Sequence, residues 1–244
     1  MLLRGCAAGR NHSARWPVIS HRPDLLKDEK LPPEPRQRRS HEKRARLKDS
    51  ALALFGSRGY ERTSISDIAR RAHLATGSFY QHYRSKRQLL LALMDDLLAA
   101  MAGLPLRPDP AADVRTSLRN ILARGFSAER RYLKAYRAWR EAALYDPALA
   151  QSEMEIRQWT TQRIATLLMR LQQWPGARPG VNIPAMAQVI DTMCWSLLER
   201  HPDVSPDQLH AVADAALDMI YHAMFLDSAN EPHPSGAGAF TGDG

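Results

Sequence analysis

Cysteine is scarce in this 244-residue chain, and its two cysteines, Cys6 and Cys194, lie far apart. This spacing excludes a disulfide framework and offers no metal-ligand pattern, so we expect a reducing compartment. Long apolar runs are also missing: no stretch of about 18 apolar residues occurs, and the opening MLLRGC is too short for the core of a signal peptide. We therefore predict a cytoplasmic protein without a membrane partner.

Motifs of catalysis and of cofactor binding are missing as well. The chain has no glycine loop for phosphate, no HExxH zinc pattern and no nucleophile elbow. His201, His210 and His222 have no cysteine or carboxylate at metal-ligand spacing. Neither strand-type alternation with hairpin turns nor repeats of fixed period occur. We expect no enzyme, no cofactor and no metal, and the predicted fold class is all-α.

The charge of the chain is unevenly distributed. Residues 36–87 hold 14 Lys and Arg against 4 Asp and Glu, a net charge of +10, whereas residues 1–35 hold 6 against 4 and residues 88–244 hold 14 against 18. A basic module on an acidic body is typical of a protein that binds nucleic acid. The alternative is a basic helical adaptor that binds another protein without specific DNA recognition.

Composition and periodicity divide the chain into four segments. Residues 1–38 lack apolar periodicity and predict a disordered basic arm, and the Gly- and Pro-rich residues 229–244 predict a disordered tail. Helical periodicity predicts a helix-turn-helix domain over residues 39–87 and a larger helical domain over residues 88–228. The helices of the larger domain are expected at about 85–101, 111–127, 129–145, 147–173, 184–200 and 206–226.

The stretch SISDIARRAHLATGSFYQHY predicts two short helices joined by a turn. The first has apolar residues at i, i+3, i+4 and i+7, and Ser64 with Asp67 forms a capping-box pattern at its start. The second is predicted from Thr76 to Tyr83, with Phe79 and Tyr83 pointing inward. Because a helix of two turns is unstable alone, it must pack on the helix before it.

The outward face of that helix is rich in groups that can contact DNA. We expect it to comprise Thr76, Gly77, Ser78, Tyr80, Gln81 and His82. Gln81 can read a base edge with two hydrogen bonds, and the two hydroxyl side chains can serve a base or a phosphate. The glycine lets the backbone approach closely. The tyrosine and the histidine, with Lys86 just beyond, suit phosphate oxygens better than bases.

The block RTSISDIARRAHLATGSFYQHYRSKRQLL, with ALALFGSRGYERTS before it, resembles the DNA-binding segment of the TetR family of bacterial transcriptional regulators. The matching positions are Phe55, Gly59, Tyr60, Thr63, Ile68, Ala69, Gly77, Tyr80, Tyr83, Lys86 and Leu89. The resemblance covers about residues 40–95. It implies that Thr63 or Ser64 contacts a phosphate, that Ser66 and Arg70 lie near the DNA, and that Lys86 holds the DNA backbone.

Two positions depart from the pattern of that family. His73 replaces the expected turn glycine, so either it adopts a left-handed conformation or the turn is shifted. Ala75 replaces the usual serine cap, which leaves Thr76 as the candidate cap of the third helix. Both departures affect which residue reaches which base.

The resemblance also implies a C-terminal helical domain that dimerises and encloses a ligand pocket. The stretch YLKAYRAWREAALYDPALAQSEMEIRQWTTQRI is weakly similar to the EthR-like branch of the family. Helices 184–200 and 206–226 are the candidate dimer helices, because small residues let a partner helix approach. Those small residues are Ala211, Ala213, Ala215 and Ala216. The alternative is a packing face within one domain.

Large aromatic and methionine side chains mark the candidate pocket, although core packing explains each of them as well. The candidates are Tyr136, Trp139, Met154, Trp159, Met193 and Trp195, with Asp191 and Tyr221 as polar groups. Their low charge favours an apolar or aromatic effector. The sequence thus predicts a repressor that binds a palindromic double-stranded DNA operator as a homodimer and is released by such a molecule.

Overall fold

A computed structural model describes residues 21–33, 37–104, 106, 112–130, 132–200 and 206–226. The helices are α1 (Arg38–Arg58), α2 (Ile65–Arg71), α3 (Thr76–Tyr80), α4 (Lys86–Ala102), α5 (Val114–Arg130), α6 (Leu133–Ala143), α7 (Pro147–Leu171), α8 (Ile183–Arg200) and α9 (Pro206–Met224). Within these ranges no β-strand occurs, and Ala177 and Phe225 form only an isolated bridge. The predicted all-α class is confirmed.

Helix α4 is the central element, because seven consecutive residues in its first half are buried. Its residues from Gln88 to Met94, together with Leu97 and Leu98, are buried. It packs against α1, α5 and α6. Helix α4 begins next to the helix-turn-helix and ends among the C-terminal helices, so it connects these two parts of the protein.

The buried apolar side chains form two clusters. The first extends from α1 through α2, α3 and α4 to α6, and it includes Trp139, Trp159 and Trp195. The second joins α5, the end of α7, α8 and α9 around Leu118, Leu171 and other aliphatic residues. The first cluster crosses the expected boundary at residues 87 and 88 without a break, so that boundary stays a prediction.

Part of the N-terminal arm packs on the protein, which the sequence did not predict. Leu25 is buried, and Arg22 pairs with Asp95 on α4 through Nη1 and Oδ1, 2.6 Å apart. Glu29 binds the side chains of Arg87 and Gln88 near the start of α4. The prediction of disorder is therefore wrong for residues 21–33. Residues 1–20 and the predicted tail lie outside the described residues.

The observed helices agree with the sequence pattern apart from the third helix. It ends at Tyr80, although the apolar spacing predicted an end at Tyr83. Past its end, the amides of His82 and Tyr83 both donate to the carbonyl of Phe79 at 2.9 Å. This closes one last turn that brings Tyr83 into the core. No helix in the described part of the chain combines the length and hydropathy of a membrane span.

The turn between α2 and α3 contains His73 in the left-handed region, with φ at 54°. Of the two alternatives at this position, the structure has the left-handed conformation and no shifted turn. The amide of Leu74 donates to the Ala69 carbonyl at 2.9 Å and closes the turn. Left-handed backbone costs a residue with a Cβ about 1–2 kcal/mol, and glycine avoids most of this cost.

We expect His73→Gly to stabilise the protein by about 0.5–1 kcal/mol, because the relief of strain exceeds the extra entropy that glycine loses on folding. Urea unfolding measures the change. His210→Gly is the matched control, since His210 is exposed within α9 and glycine inside a helix should destabilise by about 0.5–1 kcal/mol. A loss of stability in His73→Gly would contradict the role of strain.

Candidate nucleic-acid interface and effector cavity

The start of α2 is fixed by a capping box. The Asp67 amide donates to Ser64 Oγ at 3.1 Å, and the Ser64 amide donates to Asp67 Oδ2 at 3.3 Å. Hydrogen bonds from Ser64 lower the pKa of Asp67. Ser64 and Ser66 stay exposed, and the guanidinium of Arg70 pairs with Asp67 while remaining largely in solvent. These three predicted residues thus lie on one accessible surface.

Thr63 does not share that accessibility. Its side chain is buried, and its hydroxyl donates to the carbonyl of Gly59 at 2.7 Å. Because this bond stabilises the turn before α2, Thr63 cannot offer its hydroxyl to a phosphate in this structure. Of the two alternatives, Ser64 is the cap and the exposed residue, although its own hydroxyl donates to Asp67 Oδ2 at 2.6 Å. The phosphate contact stays a prediction.

Helix α3 presents part of the predicted face to solvent. Thr76, Gly77, Tyr80 and Gln81 are exposed, and 52% of Tyr80 is accessible. A Cβ placed on Gly77 would meet no atom within 4 Å, so folding does not require the glycine there. The helix begins after Ala75, which makes no side-chain cap bond. The alternative that Thr76 caps the helix is therefore wrong.

Ser78 and His82 turn inward, against the prediction. The Ser78 Oγ atom and both ring nitrogens of His82 are buried and have no hydrogen-bond partner in the described part of the chain. Burial lowers the pKa of His82, and the nearby charges of Arg44 and Lys43 lower it further. The helical wheel misplaced His82 because α3 has already ended at Tyr80.

Lys86 is held inside the protein surface. Its Nζ donates to the Tyr60 carbonyl at 2.7 Å and lies 4.1 Å from the centre of the Tyr60 ring. Burial lowers the pKa of Lys86 and raises that of Tyr60 to about 12. Glu141 on α6 accepts the Tyr60 amide at 2.6 Å from the other side. Lys86 therefore fixes the turn between α1 and α2 to the start of α4.

Sequence reasoning did not assign several exposed arginines next to this surface. Arg71 ends α2, and Arg84 follows α3 in the turn to α4. Arg62 lies before α2 and donates from Nε to the Arg58 carbonyl at 2.9 Å. Their position in residues 36–87, the segment of net charge +10, could have indicated that they lie near DNA.

A cavity of about 130 Å³ lies in the C-terminal half. The end of α4, α5, α7 and α8 surround it. Its polar lining side chains are Thr160, Arg163 and Asp191. Its other lining residues are Met101, Leu104, Leu106, Ile121, Leu122, Gly125, Ile164, Leu167, Cys194 and Trp195.

Two of the predicted pocket residues, Asp191 and Trp195, line this cavity. Asp191 Oδ1 accepts the Thr160 hydroxyl at 2.6 Å and the Trp195 indole N–H at 3.2 Å. Burial raises the pKa of Asp191. Arg163, which the sequence did not single out, donates from Nη2 to the Met101 carbonyl at 2.7 Å. A charged residue on an apolar helix face was the signal for Arg163.

The other predicted pocket residues do not line the cavity. Trp139 and Trp159 are buried in the first cluster, and Tyr136 packs against Trp195 with ring centres 4.4 Å apart. Tyr221 stacks on Phe225 in the second cluster. Met154 is exposed, and Met193 is half-buried but does not line the cavity. The aromatic residues are core residues, as the alternative reading held.

The exposed faces of α8 and α9 carry apolar residues. Val189 on α8 and Met219 on α9 are 64% and 61% accessible. Ala211 and Ala215 are exposed on the same helix as Met219. Ala216, which was predicted to face a partner, is buried in the domain.

Comparison with known proteins agrees with this geometry. Residues 47–93, from α1 to α4, match the family model "Bacterial regulatory proteins, tetR family". The transcriptional regulator TcmR of Streptomyces glaucescens is 25% identical over 212 residues, which are 79% of this chain and 88% of TcmR. The helix-turn-helix of this chain is therefore similar to that of the TetR family of transcriptional regulators. The relatives are transcriptional regulators of this family and not enzymes.

Solved structures share the fold of most of this chain. A regulator from Mesorhizobium loti has a TM-score of 0.57 at 20% identity, covering 78% of this chain and 100% of its own. A complex of SmeT with triclosan has a TM-score of 0.56 at 22% identity, covering 78% and 95%. Further curated TetR relatives match over stretches of 46–61 residues, only 17–30% of their own length.

Proposed function

We propose that this chain is a repressor that binds a palindromic operator as a two-fold homodimer and leaves it when an apolar or aromatic molecule enters the cavity. The observation that carries the proposal is the exposed surface of α3. Thr76, Gly77, Tyr80 and Gln81 are exposed there, and among the described residues the ring of Tyr80 contacts that of Phe79. A short helix of this kind is the part of a helix-turn-helix that enters the major groove.

The contacts divide into two groups by chemistry. Gln81 can read a base edge with its amide, and Thr76 can contact a base or a phosphate. Ser64, Ser66 and Arg70 on α2 suit phosphate oxygens, which position the protein without reading sequence. Tyr80 has an exposed hydroxyl at the edge of the same surface. Lys86 supports this surface through Tyr60, and because its ammonium group has three donors, it can also offer one to a phosphate.

The homodimer is proposed to form through α8 and α9. Val189 and Met219 are large apolar side chains in solvent, and Ala211 and Ala215 leave room for a partner helix. A two-fold dimer places its reading helices in successive major grooves, with half-sites about 34–36 Å apart. Analytical ultracentrifugation at micromolar concentration tests the dimer, and a monomer there would exclude it.

The cavity supports the effector part of the proposal. At about 130 Å³ it is close to a cavity of about 150 Å³ that holds benzene in another protein. The structural neighbour SmeT is described in complex with triclosan. Because the end of α4 lines the cavity and its start carries Lys86 against the helix-turn-helix, a ligand that shifts α4 can change the placement of α3.

Gel-shift titration against DNA upstream of the chain's own gene tests the repressor proposal, with random DNA as competitor. A repressor should shift the upstream DNA in the presence of the random competitor. A basic adaptor without specific DNA recognition would bind the upstream DNA and the random DNA equally. A screen of hydrophobic compounds by melting shift then identifies ligands, and each ligand is tested for release of the retained DNA. Ligands that never alter DNA affinity would exclude effector control while leaving DNA binding intact.

We expect Gln81→Ala to weaken binding to the operator by about 1–3 kcal/mol and to relax preference at one base pair, because the amide side chain reads a base edge. Binding to random DNA should change little. Gln151→Ala is the matched control, because Gln151 is an exposed residue of α7. It should change neither the affinity for the operator nor the affinity for random DNA. Competition gel shifts with single-base operator variants measure the effect. Equal losses on specific and random DNA would contradict a reading role.

A further inference from the structure

Two side chains on the cavity wall can carry a full charge. Arg163 lies on α7 and Asp191 lies on α8, and both border the same space. In the described part of the chain no hydrogen bond or ion pair joins the two side chains. The charge that a ligand needs therefore depends on which of the two is left unsatisfied.

Asp191 is already satisfied by the protein. Its Oδ1 accepts hydrogen bonds from the Thr160 hydroxyl and the Trp195 indole at 2.6 and 3.2 Å. Burial also raises the pKa of this carboxyl group, which favours its neutral form. Asp191 does not require a cationic ligand.

Arg163 is in the opposite situation. Its Nη2 donates to the carbonyls of Met101 and Leu104 at 2.7 and 3.3 Å, and its guanidinium lies 5.0 Å from the Trp159 ring centre. Among the described residues, Nε and Nη1 have no hydrogen-bond partner. Burial lowers the pKa of Arg163, and no carboxylate among the described residues forms an ion pair with it. A guanidinium cannot give up its proton in a protein, so the charge remains.

We propose that the effector is a small aromatic acid whose carboxylate binds Arg163 while its ring occupies the apolar part of the cavity. This inference rests on the proposed effector control of DNA binding. Guanidinium and carboxylate groups match in shape and form two parallel hydrogen bonds. The apolar side chains of Ile121, Leu122 and Leu167 supply the walls for one ring.

The contact of Arg163 with the end of α4 explains how an acid bound in the cavity would affect the DNA-binding surface. Met101 lies in the last turn of α4, and Leu104 follows it, so Arg163 holds the C-terminal end of that helix. A carboxylate is a stronger acceptor than a neutral carbonyl, by roughly twofold in hydrogen-bond strength. A carboxylate that accepts two parallel hydrogen bonds needs Nη2 together with Nε or Nη1. An acid in the cavity therefore competes with these carbonyls for Nη2 and releases the end of α4.

The experiment compares three single-ring probes on the full chain: benzoate, benzamide and benzylamine. They are anionic, neutral and cationic, and they have similar size. Calorimetry gives their affinities, and gel shift against the chain's operator DNA gives release. We expect benzoate to bind at least about tenfold more tightly than either other probe and to release DNA.

Two substitutions assign the effect to one residue. Arg163→Gln should abolish the preference for benzoate and leave benzamide binding unchanged. Arg170→Gln is the matched control, because Arg170 lies on the same helix, donates to the Leu106 carbonyl at 2.6 Å and does not line the cavity. It should keep the benzoate preference. Melting curves establish that both variants are folded.

Several outcomes would overturn the inference. Benzamide or benzylamine binding as tightly as benzoate would do so, and so would an Arg163→Gln variant that keeps the preference. If a neutral or cationic probe releases DNA where benzoate does not, the inference fails and effector control stands. If none of the three binds, the aromatic-acid assignment is rejected, and the wider hydrophobic screen decides separately whether any effector exists.

Discussion

Removing residues 1–33 should lower the melting temperature by about 5–15 °C, because residues 21–33 pack on α4. Burying a leucine such as Leu25 contributes about 1.5–3 kcal/mol. The partly exposed ion pairs of Arg22 and Glu29 add at most about 1 kcal/mol each. For a protein of this size, each 1 kcal/mol shifts the melting temperature by about 2–4 °C. Differential scanning calorimetry of the full and shortened chains measures the shift.

The buried leucine gives a sharper version of this test. Leu25→Ala should lose about 2–3 kcal/mol, at the low end for a buried leucine because the segment is near the chain end. Leu144→Ala is the matched control, since Leu144 is 75% accessible, and it should change stability by less than about 0.5 kcal/mol. Equal melting temperatures for the full and shortened chains would show that the arm does not pack in solution.

The arm also shows what sequence patterns could not predict. A stretch of 13 residues without helical or strand periodicity gives no signal of burial, and its anchors are single side chains on distant elements. Glu29 pairs with Arg87, and Arg87 also binds Asp146 Oδ2 at 2.6 Å at the start of α7. Only the three-dimensional arrangement brings these charges together, so the basic composition of the arm was misleading.

The helix-turn-helix was largely predictable because local rules determine it. The capping box of Ser64 and Asp67 fixes the start of α2, and Phe79 and Tyr83 are buried as their spacing predicted. The failure at His82 comes from the early end of α3 at Tyr80, whereas Ser78 lies within the helix and is only partly exposed. The apolar spacing predicted a third helix that is about one turn longer than α3.

The cavity was the least predictable part of the chain. Asp191 and Trp195 were identified because a buried acid and an indole stand out on α8. Arg163 was missed because its role depends on the carbonyls at the end of α4, more than fifty residues earlier in the chain. A sequence shows which residues share a helix face, but the helices that surround a cavity are chosen by packing.

Phe79→Ala should cost about 3–5 kcal/mol of folding stability and abolish specific DNA binding. The Phe79 side chain is fully buried, and removal of a buried aromatic ring leaves a cavity with a cost of that size. Helix α3 has only five residues and is not stable without tertiary packing. The ring of Phe79 lies 5.9 Å from that of Tyr83, so its loss removes the contact that holds α3 against the core.

A substitution of Tyr80, the residue after Phe79, tests DNA binding independently of folding stability. Tyr80→Ala should change stability by less than about 1 kcal/mol, because Tyr80 is half-exposed and surface substitutions usually have small effects. It should still weaken DNA binding, because the tyrosine hydroxyl lies on the proposed interface. Urea unfolding and operator gel shifts on both variants and on Phe79→Leu measure the two properties independently. A stable Phe79→Ala variant with full operator affinity would show that packing of α3 on this ring does not position the reading surface.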